Sequence, residues 1–144
     1  MKKIALFGLI GFILTGCGEK KVTEEMLIGD WRCNFKEQVA KWKNGLFQDY
    51  APPIDHETSL VTYLKVDNDL FVKSPNSFRK IKQYVNKMDG SFEYSIGDMK
   101  TVGFNKLEYI SDDEFKSISE IIITQNKSED NEKTKNIMHC TRIK

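Results

Sequence analysis

The chain is punctuated at short intervals by turn signals, and the residues between them alternate. Asn44-Gly45, Asp67-Asn68-Asp69 and Asp89-Gly90 each place turn-forming residues between apolar-containing segments. Asn-Gly and Asp-Gly accept positive φ at the centre of a two-residue turn, which suits the twist of an antiparallel hairpin. Trp31, Cys33 and Phe35 alternate with Arg32, Asn34 and Lys36. Leu60, Thr62, Leu64 and Val66 share one side of the next segment, with Val61 and Tyr63 on the other, and Phe92, Tyr94 and Ile96 share a face further on. Period two is the signature of a half-buried strand. Segments 102–110 and 116–125, separated by the acidic turn Ser111–Glu114, and a last segment 136–143 bring the count to eight or nine short strands. The expectation is an all-β fold, a small antiparallel meander barrel of about eight strands. A short helical turn should precede it, because Thr23 is an N-cap residue, Glu24 and Glu25 fill the first turn and Gly29 can end it. Residues 78–85 also fit helical spacing, and the polar run 126–135 reads as a mobile loop.

The amino terminus has a different character. Lys2 and Lys3 precede an uncharged run from Ile4 to Leu14, which is too short for a membrane-spanning helix of about 20 residues. A basic start, an apolar run and small residues before a cleavage point are the parts of a secretory signal. Leu14-Thr15-Gly16-Cys17 resembles the bacterial lipobox. That resemblance implies diacylglycerol on the Cys17 thiol, removal of residues 1–16 and acyl chains holding the protein to a membrane. Two or more chains give stable anchoring where one does not. In lipoproteins of this class the residues after the cysteine govern sorting. Gly18 leaves both membranes open, with the periplasmic face of the inner membrane favoured and the outer membrane as the alternative. Residues 17–22 would be a lipidated tether and 23–144 a single periplasmic domain.

Without the leader, 20 basic and 21 acidic side chains remain, a near-neutral balance with no basic cluster of the kind that binds nucleic acid. With Cys17 acylated, Cys33 and Cys140 are the remaining cysteines. In an oxidising compartment such a pair reads as a disulfide joining the first and last strands. Two reduced, buried thiols are the alternative.

A direct cross-strand disulfide fixes a register. If Cys33 faces Cys140 on antiparallel neighbours, Trp31 faces Arg142 and Phe35 faces Met138, all on one side of the sheet. Arg142 then sits over the Trp31 indole in a cation–π contact. First and last strands that pair this way make an even-stranded sheet closed on itself. Gly29-Asp30-Trp31 after one helical turn resembles the Gly-X-Trp element that opens lipocalin-like barrels, where a late arginine covers the tryptophan. Strands as short as those expected would leave little room for a ligand, since eight strands can be filled by side chains alone. The leader, the stretch 21–31 (Lys-Val-Thr-Glu-Glu-Met-Leu-Ile-Gly-Asp-Trp) and the mature size resemble small enterobacterial prophage-encoded lipoproteins of the YafY/YfjS type. Membership would imply an accessory envelope lipoprotein and brings no catalytic motif.

Reactive groups were weighed against solvated surface. Consecutive Asp55-His56-Glu57 cannot converge on one metal from a strand, and metal sites usually draw on several segments. Asp112-Asp113-Glu114 lacks the spaced oxygens and glycine of a calcium loop. His139 points away from the core row, and Trp42, Phe47 and Tyr50 read as core more readily than as an exposed patch. No cofactor, metal or catalytic constellation is expected. The leading expectation is therefore a non-enzymatic, lipid-anchored protein that contacts another envelope component, with a link to envelope stress responses. Its alternatives are a lysozyme-inhibitor-like module and a lipocalin-like carrier of a small apolar ligand.

Overall fold

The computed structural model describes residues 20–81 and 89–144. The leader, Cys17 and the sorting position Gly18 lie outside the described residues, as do residues 82–85 of the segment 78–85 that also fits a helix; its first half, Phe78 to Ile81, is on a strand.

Thr23 caps the helical turn α1 (Glu24–Leu27), its Oγ1 accepting from the Met26 N–H. Among the described residues ten strands follow: β1 (Gly29–Lys43), β2 (Leu46–Phe47), β3 (Ile54–Asp55), β4 (Ser59–Val66), β5 (Asp69–Ser74), β6 (Ser77–Ile81), β7 (Gly90–Ile96), β8 (Met99–Ser111), β9 (Glu114–Thr124) and β10 (Glu132–Arg142). All ladders are antiparallel. The main sheet runs β6-β5-β4-β1-β10-β9-β8-β7, while β2 and β3 pair only with the far half of β1. This is an up-and-down order, in which each main strand except the edge pair β6 and β7 neighbours the next in the chain.

The turns explain the connections. Asn44 and Gly45, and likewise Asp67 and Asn68, have positive φ and close the β1–β2 and β4–β5 hairpins. The Asp89-Gly90 signal is expected to join a segment near 80–88 to the segment 91–96; residues 82–88 lie outside the described residues, and β7 itself pairs with β8 through the turn at Gly97 and Asp98. In β8, Gly103 lies under the Phe92 ring of β7, which would collide with any Cβ placed there.

β1 and β10 are neighbours in the register Trp31–Arg142, Cys33–Cys140 and Phe35–Met138. The disulfide between Cys33 and Cys140 is formed, with Cα atoms 4.1 Å apart across 107 residues of sequence. The seam between the first and last strands is therefore closed. Among the described residues the sheet edges are β6 and β7, so the protein is a curled half-barrel of eight main strands. The expected closure is met at the disulfide seam; the β6–β7 seam borders residues outside the description.

One expectation is corrected outright. The strands around the disulfide are not short: β1 runs 15 residues, β8 13, and β9 and β10 11 each. Polar residues 132–135, read from composition as loop, are strand because β9 and β1 flank them on both sides. Cooperative ladder bonding outweighs the local preference for a turn. Trp42, Phe47 and Tyr50 are half-buried and belong to no core cluster.

The core gathers at the α1 end. Leu27, Trp31, Cys33, Phe115 and Cys140 are fully buried, joined by Val22, Val61, Tyr63 and Leu70. Trp31 and Phe115 meet edge-to-face at 4.9 Å, an arrangement worth about 0.5–1.5 kcal/mol beyond area burial. Among the described residues the cluster runs from Val22 to Cys140.

Candidate functional site

Inward side chains follow the pleat. On β1 they are Trp31, Cys33 and Phe35; in register with them come Val61 and Tyr63 on β4, and Met138 and Cys140 on β10. At the α1 end this row is sealed. The Trp31 indole donates from Nε1 to the Leu27 carbonyl at 2.6 Å. Arg142 donates to the Ile28 carbonyl at 2.8 Å, the Met26 carbonyl at 2.5 Å and the Asp112 carbonyl at 3.2 Å. Its Cζ stands 4.3 Å from the Trp31 ring centroid, and its Nε is 3.1 Å from an Asp113 carboxylate oxygen. Three carbonyls left over at the end of a short helix are thus satisfied by two side chains of the barrel. A hydrogen bond from Lys144, with Arg142 adding charge, holds the Asp113 carboxyl below its ordinary range. Gly29 makes room for this seal, because a Cβ there would stand 2.8 Å from Arg142 Nη1 at a φ of +126°.

Away from α1 the concave face opens. A cavity of about 510 Å³ is lined on its apolar side by Phe35, Val61, Tyr63, Val72, Ile81 and Met138. That volume lies within the ordinary range for small-molecule sites, about 300–1,000 Å³. Two polar groups complete the wall. Ser74, Ser77 and Arg79 come from the β5–β6 hairpin, and Ser117, Ser119 and Asn136 from β9 and β10. Val72 and Arg79 are paired, as are Ser74 and Ser77, which places all four on the inward row. Ser117 is buried at 7% exposure. None of these six polar side chains has a hydrogen bond or ion pair among the described residues. Ser77 and Arg79 are exposed and Ser74, Ser119 and Asn136 half-buried, so these groups stay open to water or to a bound molecule.

Sequence reading did not single out these six residues. The available signal was the inner row of β9, where Phe115 is followed two and four positions later by Ser117 and Ser119. A core row that turns small and polar marks the place where side chains stop filling the interior.

The groups weighed earlier for chemistry are scattered. Asp55 pairs with Lys36 at 3.0 Å, and Asp55, His56 and Glu57 are all exposed. Asp112 accepts from Tyr109 at 2.5 Å, Asp113 serves Arg142 and Lys144, and Glu114 meets His139 at 2.6 Å. The three acids of that turn thus face three different partners. Among the described residues no group of three or more His, Cys, Asp or Glu is placed to hold a metal.

A second polar cluster lies on the outer surface. Tyr50 donates to Glu120 at 2.8 Å, Lys133 reaches the same carboxylate at 3.2 Å, and the Lys133 ammonium stands 5.0 Å over the Tyr50 ring. Burial, then the hydrogen bond to Glu120 and its charge, pushes the Tyr50 hydroxyl well above its usual range. Burial opposes ionisation of Glu120, but the bonds from Tyr50 and Lys133 outweigh it and hold the carboxyl below its usual range. A lowered carboxyl pKa stabilises the fold above the unfolded value, and that contribution disappears as pH falls through the folded one. Tyr50→Phe should therefore cost about 1 kcal/mol at neutral pH, discounted for the partial exposure of the pair. The gap from wild type should narrow in acid as Glu120 takes up a proton. Urea unfolding at neutral and acid pH measures both, and a gap unchanged on acidification would contradict the assignment.

No family model matches the chain, and no curated protein matches it. Among solved structures it is similar to an S-type phycobiliprotein lyase, CPES, from Guillardia theta. The identity is 11% and the TM-score 0.39, over 84% of this chain and 90% of that one.

Proposed function

We propose that this is a lipid-anchored periplasmic binding protein whose curled sheet takes up a small, largely apolar ligand. The observation that carries the reading is the 510 Å³ cavity, with its apolar floor and its facing polar side chains. Binding is favoured over catalysis by the lining itself. Among the described lining residues its serines have no histidine, carboxylate or lysine to activate them. The anchor rests on the Leu-Thr-Gly-Cys tetrad, with Cys17 as the acylated residue on the periplasmic face of the inner membrane. Buried Val22 follows Cys17 by five residues, so an extended tether holds the α1 end within about 18 Å of the attachment point. The β5–β6 turn, on the cavity side, lies at the opposite end of the sheet and would face the periplasm.

Native mass spectrometry of the full-length protein, freshly extracted from membranes, tests this. The expected spectrum shows a species heavier than the acylated polypeptide by one small molecule, lost on unfolding. A bare acylated polypeptide, unable to take up any apolar compound added back, would refute the reading.

A second reading, contact with another envelope protein, is favoured by a different observation. The edge strands expose Phe78 at 61%, Tyr94 at 49% and Ile96 at 65%, and sheet edges pair readily with other chains. Crosslinking in intact envelopes from positions 78 and 96 would capture the same partner repeatedly if this surface is used; scattered products would argue against it.

A further inference from the structure

Resting on the binding reading above, the geometry points to a single-chain amphipath with an anionic head as the ligand class, the head held by Arg79. The charge of the lining decides its sign. Among the described lining residues Arg79 is the one charged side chain, and none of them is acidic. Arg79 projects inward from edge strand β6, is exposed, and makes no hydrogen bond or ion pair among the described residues. Lys80, next along the strand, is engaged by Asp69. A guanidinium offers five donors in a planar fork and no acceptor, which matches a carboxylate or a phosphate.

The neutral polar groups agree. Ser74 and Ser77 stand on the same wall as Arg79, and each can donate to the head. Ser117, with no hydrogen bond among the described residues, marks a second polar position on the facing wall. The acid next along the inward row of β1, Glu37, is opposite Asn136 in register. It would repel an anion on the β10 side and so favours the Arg79 side for the head. Phe35, Val61, Tyr63, Val72, Ile81 and Met138 then take the chain.

Equilibrium dialysis of radiolabelled twelve-carbon probes against the full-length protein in nanodiscs, with empty nanodiscs subtracted, tests the class. Dodecanoate and dodecyl phosphate should bind roughly tenfold or more tightly than dodecanol and dodecyltrimethylammonium, as a charge-assisted fork contact implies. Whichever anion binds tighter distinguishes a carboxylate head from a phosphate one. Arg79→Gln, an exposed edge-strand change, should bring all four probes to similar affinity. Equal binding of the four probes by the wild type, or an anion preference surviving in Arg79→Gln, would overturn the anionic assignment while leaving an apolar-ligand protein. Failure of every probe to bind would overturn both.

Discussion

Replacing Cys33 and Cys140 together by alanine should lower the unfolding free energy by roughly 4–5 kcal/mol. The bond closes a loop of 107 residues, and the chain-entropy model gives about 4.7 kcal/mol for a loop of 100. Domains of this size are stable by only about 5–15 kcal/mol in total. The loss is large for a second reason: both half-cystines are fully buried beside Trp31 and Phe115, so the alanines also leave a packing defect. With a urea slope of about 1–3 kcal/mol per molar, the midpoint should fall by more than about 1 M. Reducing the wild-type bond should reproduce most of the shift. A midpoint that barely moves would mean that the bond does not join these two residues in the folded protein.

Arg142→Ala should be nearly as damaging, at about 3–4 kcal/mol. One side chain supplies hydrogen bonds to three carbonyls, an ion pair to Asp113 and a cation over Trp31. Bonds from a charged donor are worth about 1.5–3 kcal/mol each, but they share one guanidinium and are not additive. The expected fall in melting temperature is on the order of 10 °C. Arg142→Lys keeps the charge and loses the fork, so it should recover only a minor part. Gly29→Ala should echo the defect by displacing the guanidinium and straining a positive φ. If Arg142→Ala melts like wild type, the α1 end is not held by this residue.

These two predictions concern the part of the fold most legible in the sequence. Cysteine arithmetic and strand parity give the β1–β10 register, because residue numbers opposite one another on an antiparallel ladder have a constant sum. The turns at Asn44-Gly45 and Asp67-Asn68 were legible because only a few residue types tolerate positive φ there. What was not legible depends on neighbours distant in sequence. The polar start of β10 is strand because it fills a gap between two ladders. The cavity was hidden for the same reason. Ser77 and Arg79 on β6 look like an exposed polar strand, and Ser119 and Asn136 like ordinary sheet residues. Only the curl of the sheet turns them towards one space.

The ligand cavity is tested most directly by filling it. Val72 lies on its apolar side, half-buried on the inward row between Tyr63 and Arg79. Its replacement by tryptophan adds bulk to open space and leaves the disulfide and the Arg142 seal untouched. Titration of a fluorescent apolar probe into wild type and Val72→Trp, with melting temperature as the folding control, gives the answer. One-to-one binding by wild type that falls at least tenfold in a well-folded Val72→Trp is the expected result. Equal binding by the two proteins would place the ligand elsewhere and end the case for a binding barrel.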